Sequence, residues 1–194
     1  IQEHNETLRA HREIDGVAEQ QFRSLLANAS SRRDMQDGYA KLYMAAKASG
    51  ALRWFDKTPQ NIYGILLLSA VYPDAKFVHI VRHPLNVVSS LRAGKVMGPH
   101  TLQAGINTWL EAVSIATEFQ SAWPDRIHTL TYEDLTTSPE SVLNALLDFL
   151  GEAAPSNTFD VRQVHPEKNL HEEQLSDSEL AMIREQLAVE MAHY

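Results

Sequence analysis

Residues 75–91 read AKFVHIVRHPLNVVSSL, and this stretch decides the fold. Lys76 to Val81 is short, mostly apolar and partly β-branched, as a buried parallel strand requires. Arg82 falls where that strand should end. Pro84 cannot continue a sheet, but its fixed φ suits the first position of a helix. Leu85, Val88 and Leu91 then recur at helical spacing, while Asn86 and Ser90 lie one turn apart on another face. The stretch is therefore strand, sharp turn, helix. A cation at the carboxyl end of a strand, beside a helix start, is where open α/β sheets take anionic ligands. The plain alternative is an ordinary strand-helix joint with a solvated arginine.

Outward from this stretch the same grammar repeats. Leu52 to Phe55 reads as a short strand, Asp56 to Pro59 as a turn, and Gln60 to Ser69 as a helix. Strand, loop, helix, strand is the pattern of a parallel sheet with crossover helices. Downstream, Arg92 to His100 contains Gly94, Gly98 and Pro99 and reads as a loop. Thr101 to Ala122 is a long helix with Leu102, Ile106, Trp109, Leu110, Val113 and Ala116 inward, ended by Pro124-Asp125. Arg126 to Tyr132 is the next strand. Ser138-Pro139 opens another helix, which Gly151 ends. Residues 152–171 are polar and irregular, and Asp177 to Ala192 forms a terminal helix. Upstream, residues 3–28 read as one helix. Asp34 is the candidate cap of a second, Met35 to Ala48, ended by Ser49-Gly50. No internal repeat or linker demands a second domain, so residues 1–194 read as one.

Composition narrows the class. The chain has 194 residues, 44% apolar and 22% charged, enough to bury a core. Its longest apolar run, Ile65 to Tyr72, is too short to span a membrane. The first residues show no signal-peptide pattern, and the expected location is cytoplasmic. Cysteine is absent, which removes disulfides, thiolate chemistry and cysteine zinc sites. A net charge of −8 argues against broad nucleic-acid binding, so an anionic ligand needs a local cluster of positive charge. Arg32 and Arg33 could touch phosphate, although a solvated turn explains them as well.

Arg82 followed eight residues later by Ser90 resembles the 3′-phosphate signature of the sulfotransferase family. These enzymes move a sulfuryl group from PAPS (3′-phosphoadenosine 5′-phosphosulfate) to a hydroxyl or amine, leaving PAP. Asp56-Lys57-Thr58-Pro59 upstream and Thr131-Tyr132-Glu133-Asp134-Leu135 downstream match in the family's order and spacing, and together the motifs cover residues 52–151. The DKTP form is similar to the bacterial and protein-tyrosine branches. The resemblance implies a three-layer α/β fold of the P-loop NTPase type, with a central parallel sheet flanked by helices.

It also implies roles. Sulfuryl transfer moves a group in line while charge builds on the leaving oxygen, so catalysis is mostly positioning and electrostatics. Lys57, twenty-five residues before Arg82, is the expected donor to that oxygen; otherwise it is a surface lysine paired with Asp56. Arg82 can hold the 3′-phosphate through two parallel hydrogen bonds and Ser90 can add a hydroxyl. Ser89 competes with Ser90, and only the family spacing selects between them. Tyr132 is expected to approach the adenine; otherwise it is a strand-end tyrosine with its ring in the core. Glu133 and Asp134 read as turn and cap residues. No metal is implied: His79 and His83 do not converge in a strand and turn. The acceptor, whether small molecule, carbohydrate or peptide, should be held by variable loops such as residues 92–108 and the stretch after Gly151.

Two departures stand out. The family's glycine- and serine-rich loop for the 5′-phosphosulfate has no counterpart between Ile1 and Asp56. The chain opens on isoleucine, and the expectation is that residues before Ile1 carry that loop. The position two residues after the lysine, histidine in cytosolic small-molecule enzymes, is Pro59 here. His100 and Glu111 lie toward the substrate side, but neither is assigned as base. The alternative class is a non-catalytic PAP-binding or structural domain on a degenerate sulfotransferase fold. A nucleotide kinase would need a Walker loop, for which no sequence match is visible.

Overall fold

The computed structural model describes residues 6–48, 50–94, 101–153, 164, 169 and 171–193. The chain divides into two compact units, Ile1–Pro59 and Gln60–Tyr194.

The first unit is helical: α1 (Glu6–Asp15), α2 (Glu19–Asn28) and α3 (Arg32–Lys47). The single helix expected over residues 3–28 is two. Gly16 adopts φ 76°, and its N–H bonds the Glu13 carbonyl while the Val17 N–H bonds that of Arg12. This paired closure stops α1, because a left-handed residue costs glycine nothing and the orphan carbonyls are satisfied. The cap of α3 is Ser31, whose hydroxyl accepts from the Asp34 N–H. Asp34, expected as the cap, sits inside the first turn. Its carboxylate accepts from the Ser30 hydroxyl and N–H, and that Ser30 hydroxyl is the main cause of its lowered pKa. The α2–α3 packing includes an edge-on Phe22–Tyr39 contact. The Tyr39 hydroxyl donates to Asp15 at 2.7 Å. Burial, then that carboxylate, pushes the Tyr39 pKa up to about 12. Leu52 to Phe55, expected as a strand, is not one: a strand needs a ladder partner, and among the described residues only two strands pair, both in the second unit. Leu52 and Phe55 are exposed.

A 3-10 turn over Pro59–Gly64 leads into α4 (Ile65–Val71), the first α-helix of the second unit. Then follow β1 (Phe77–Val81), α5 (Pro84–Ala93), α6 (Leu102–Ala122), β2 (Ile127–Thr131), α7 (Tyr132–Thr137) and α8 (Pro139–Leu150). The tail adds α9 (His171–Gln174), α10 (Asp177–Gln186) and α11 (Ala188–Met191). The strand expected to run through Tyr132 ends at Thr131, whose hydroxyl caps α7 by accepting from the Asp134 N–H. β1 and β2 pair in parallel, from Phe77 opposite Ile127 to Val81 opposite Thr131.

Helix α6 covers one face of this pair. Ile106, Trp109, Val113, Ala116 and Phe119 recur at three- and four-residue steps along it and are buried. Ala116 and Phe119 close over Ile65, Phe77 and Ile127, with the Phe77 and Phe119 rings edge-on at 5.3 Å. Ile106, Trp109 and Val113 pack on Val81, Leu85 and Val88. Burying each such side chain stabilises the unit by roughly 1.5–3 kcal/mol. Gly105 lets the helices approach: a Cβ there would lie 3.2 Å from Val88 Cγ1. Helix α8 flanks the opposite face, where Phe149 stacks on His128 at 5.3 Å. Helix, parallel sheet, helix is the three-layer α/β order expected. Arg126 fastens the entry to β2 by donating to the Tyr72 carbonyl at 2.9 Å and to that of Ala75 at 3.2 Å.

Candidate functional site

The register of the two strands builds the site. Each β1 residue lies opposite the β2 residue fifty positions later, as Val81 lies opposite Thr131. Just past that last pair, Arg82 lies beside Tyr132, with its guanidinium carbon 5.2 Å from the ring centre. One residue beyond, the His83 N–H donates to Glu133 Oε1 at 2.9 Å. Two sequence motifs a quarter of the chain apart thus meet at the carboxyl ends of adjacent parallel strands, where α/β sheets bind ligands.

The turn is held from a third side as well. The Trp109 indole N–H of α6 donates to the Arg82 carbonyl at 2.9 Å. Pro84 starts α5 at its first position, where no N–H is needed. Arg82 is half-buried and its planar head lies on an aromatic face, which restricts it to few orientations. Such an arginine can present two parallel donors to a phosphate, and the ring beside it offers a surface for a base. The structure also separates the two candidate serines. Ser89 is 2% exposed and its hydroxyl donates to Gln174 Oε1, whereas Ser90 is exposed. The residues present therefore fit the 3′-phosphate end of PAPS.

Lys57 belongs to the first unit, where it is exposed. Glu111 is exposed on α6, and His100 lies outside the described residues. Among the described residues no group of three or more His, Cys, Asp or Glu could hold a metal ion, and no helix is long and apolar enough to cross a membrane. His79 faces the α6 side of the sheet together with Phe77, and burial lowers its pKa.

Sequence reasoning took Glu133 for a turn residue and missed that it holds His83. No local sequence signal marks this contact, which forms past the last ladder pair, Val81 with Thr131. Trp109 was placed inward by its periodicity, but helical spacing does not tell which carbonyl its N–H meets.

A model of the sulfotransferase family matches residues 2–156. The chain belongs to the sulfotransferase family. It is 33% identical over 107 residues to the omega-hydroxy-beta-dihydromenaquinone-9 sulfotransferase Stf3 of Mycobacterium bovis (strain ATCC BAA-935 / AF2122/97), covering 49% of this chain and 28% of that protein. It is 29% identical over 104 residues to an uncharacterized protein of Aquifex aeolicus (strain VF5), covering 50% of this chain and 14% of that one. The matched stretch thus spans less than a third of either relative. The sulfotransferase domain from the curacin biosynthetic pathway superposes with a TM-score of 0.58 at 16% identity, over 93% of this chain and 77% of that domain. The sulfotransferase domain from the Synechococcus PCC 7002 olefin synthase gives 0.51 at 19% identity, over 92% and 78%. These superpositions establish the sulfotransferase fold, of the P-loop-like α/β type.

Proposed function

We propose that this sulfotransferase-family chain, acting as one sulfotransferase-like domain, transfers a sulfuryl group from PAPS to a hydroxyl or amine and releases PAP. The observation that carries the reading is the Arg82 guanidinium on the Tyr132 ring at the carboxyl ends of β1 and β2, 5.2 Å from centre to centre. PAPS supplies the activated sulfuryl group. Arg82 and Ser90 bind its 3′-phosphate, the feature that separates PAPS from ATP, with charge-assisted hydrogen bonds. Tyr132 offers its ring to the adenine. By resemblance, the Lys57 ammonium donates a hydrogen bond to the bridging oxygen on which charge develops, lowering the barrier without a covalent bond. The acceptor is a small molecule, the class named for the mycobacterial relative. No metal takes part in this scheme.

The test is calorimetric titration of the chain with PAP and with AMP. Selective binding of PAP is expected. Arg82→Ala should abolish the preference, and a mutant that prefers PAP by the wild-type factor would refute the 3′-phosphate assignment. Selective PAP binding without turnover by any extended form of the chain would instead favour a non-catalytic binding domain.

A further inference from the structure

Helix α5 carries two polar rows. One includes Ser90 and faces outward. The other, Asn86 and Ser89, is buried against the tail. His171 Nδ1 donates to Asn86 Oδ1 at 2.6 Å, and Asn86 Nδ2 donates to Asn169 Oδ1 at 3.4 Å. Ser89 donates to Gln174 one turn on, and Arg92 ion-pairs with Glu179 one turn further. His171 also stacks on His83, at the turn itself, with ring centres 6.4 Å apart. Beneath this row Leu175, Ile183 and Leu187 join Val81, Leu85 and Val88 in one apolar cluster.

Apolar contact alone fixes how closely two elements pack but tolerates sliding. Buried hydrogen bonds are directional, and an unmet one is costly, so they fix register. We infer that residues 171–186 form a clasp that sets the position of α5, with His171 and Asn86 as positioning residues for the anion site formed by Arg82 and Ser90. The inference rests on the reading of that site given above. Neither residue touches the ligand: each acts through α5, whose first turn follows Arg82 directly.

The test compares PAP and AMP affinities of the full chain and its variants, together with amide hydrogen exchange without ligand. His171→Ala should lower the PAP-over-AMP preference about fivefold, the factor carried by one hydrogen bond of ordinary net worth. His171→Asn, which keeps a donor near the Nδ1 position, should stay within about twofold of wild type. Exchange over Val87–Leu91 should accelerate in His171→Ala while β1 and β2 keep their protection. Should His171→Ala not fold, Gln174→Ala carries the same test, because Gln174 is exposed and only its contact with Ser89 is lost. A lowered Tm with an unchanged preference and unchanged α5 exchange would reduce the clasp to a structural contact and overturn the inference. A wild-type chain with no preference for PAP would overturn the functional reading, and the inference with it.

Discussion

Replacing Trp109 with phenylalanine tests whether the strand-end turn depends on the helix beneath it. Trp109 is 4% exposed, packs in the cluster of Val81, Leu85 and Val88, and donates its indole N–H to the Arg82 carbonyl at 2.9 Å. Phenylalanine keeps most of the apolar contact. It removes the donor and leaves a gap where the second ring lay. Losing a partner from a buried carbonyl costs about 1–3 kcal/mol. The missing ring atoms cost roughly 1 kcal/mol more in transfer and cavity terms. The expected loss is therefore about 2–4 kcal/mol, a large part of the stability of a small domain. Urea unfolding followed by circular dichroism would measure it, with the slope against denaturant compared between the two proteins. Because the lost bond holds Arg82 itself, PAP affinity should also fall. A loss below about 1 kcal/mol with an unchanged slope would mean that the carbonyl finds another donor, and that the turn is held by β1 and Glu133 instead.

Other expectations concern chemistry and pH. Lys57→Ala should reduce turnover far more than PAP affinity in single-turnover assays; equal losses would make Lys57 a binding residue. The raised pKa of Tyr39 means that folding favours its neutral form. The stability it contributes is complete below pH 10.0 and is lost as pH rises toward about 12. Tyr39→Phe should flatten alkaline unfolding over that window, and an unchanged profile would remove the Asp15 contact from the account. For His79 the sign is opposite. Its pKa is lowered from 6.5 by burial, so its contribution is present above 6.5 and declines as pH falls below it. His79→Gln should lessen that acid sensitivity, whereas an equally steep decline would point to other groups.

Strand β1, its turn and its helix were legible because a short apolar, partly β-branched run, a proline and a helical repeat follow one another over residues 76–91. The long α6 was legible for the same reason. The division of residues 3–28 was not, since one glycine in a charged helical pattern reads as a tolerated interruption until its positive φ is known. Leu52 to Phe55 has strand composition, but a strand is a property of a pair, and composition does not supply the partner. At the candidate site, the resemblance pointed to Arg82, Ser90 and Tyr132. What orients them was hidden, because Glu133, Asn86 and His171 act across long sequence separations and each alone is an ordinary polar residue. Helical spacing set Asn86 and Ser90 on one face of α5, and it is the tail that buries Asn86.

The fixed offset between β1 and β2 has a consequence for how such a chain can diversify. The contacts of Arg82 with Tyr132 and of His83 with Glu133 form just past the last ladder pair, Val81 with Thr131, and not within the chain that joins the two strands. Residues can be added to or removed from that connection, and the numbering shifts while the neighbours stay the same. Evolution is then free to rewrite the intervening loop while the contacts at the strand ends are inherited intact.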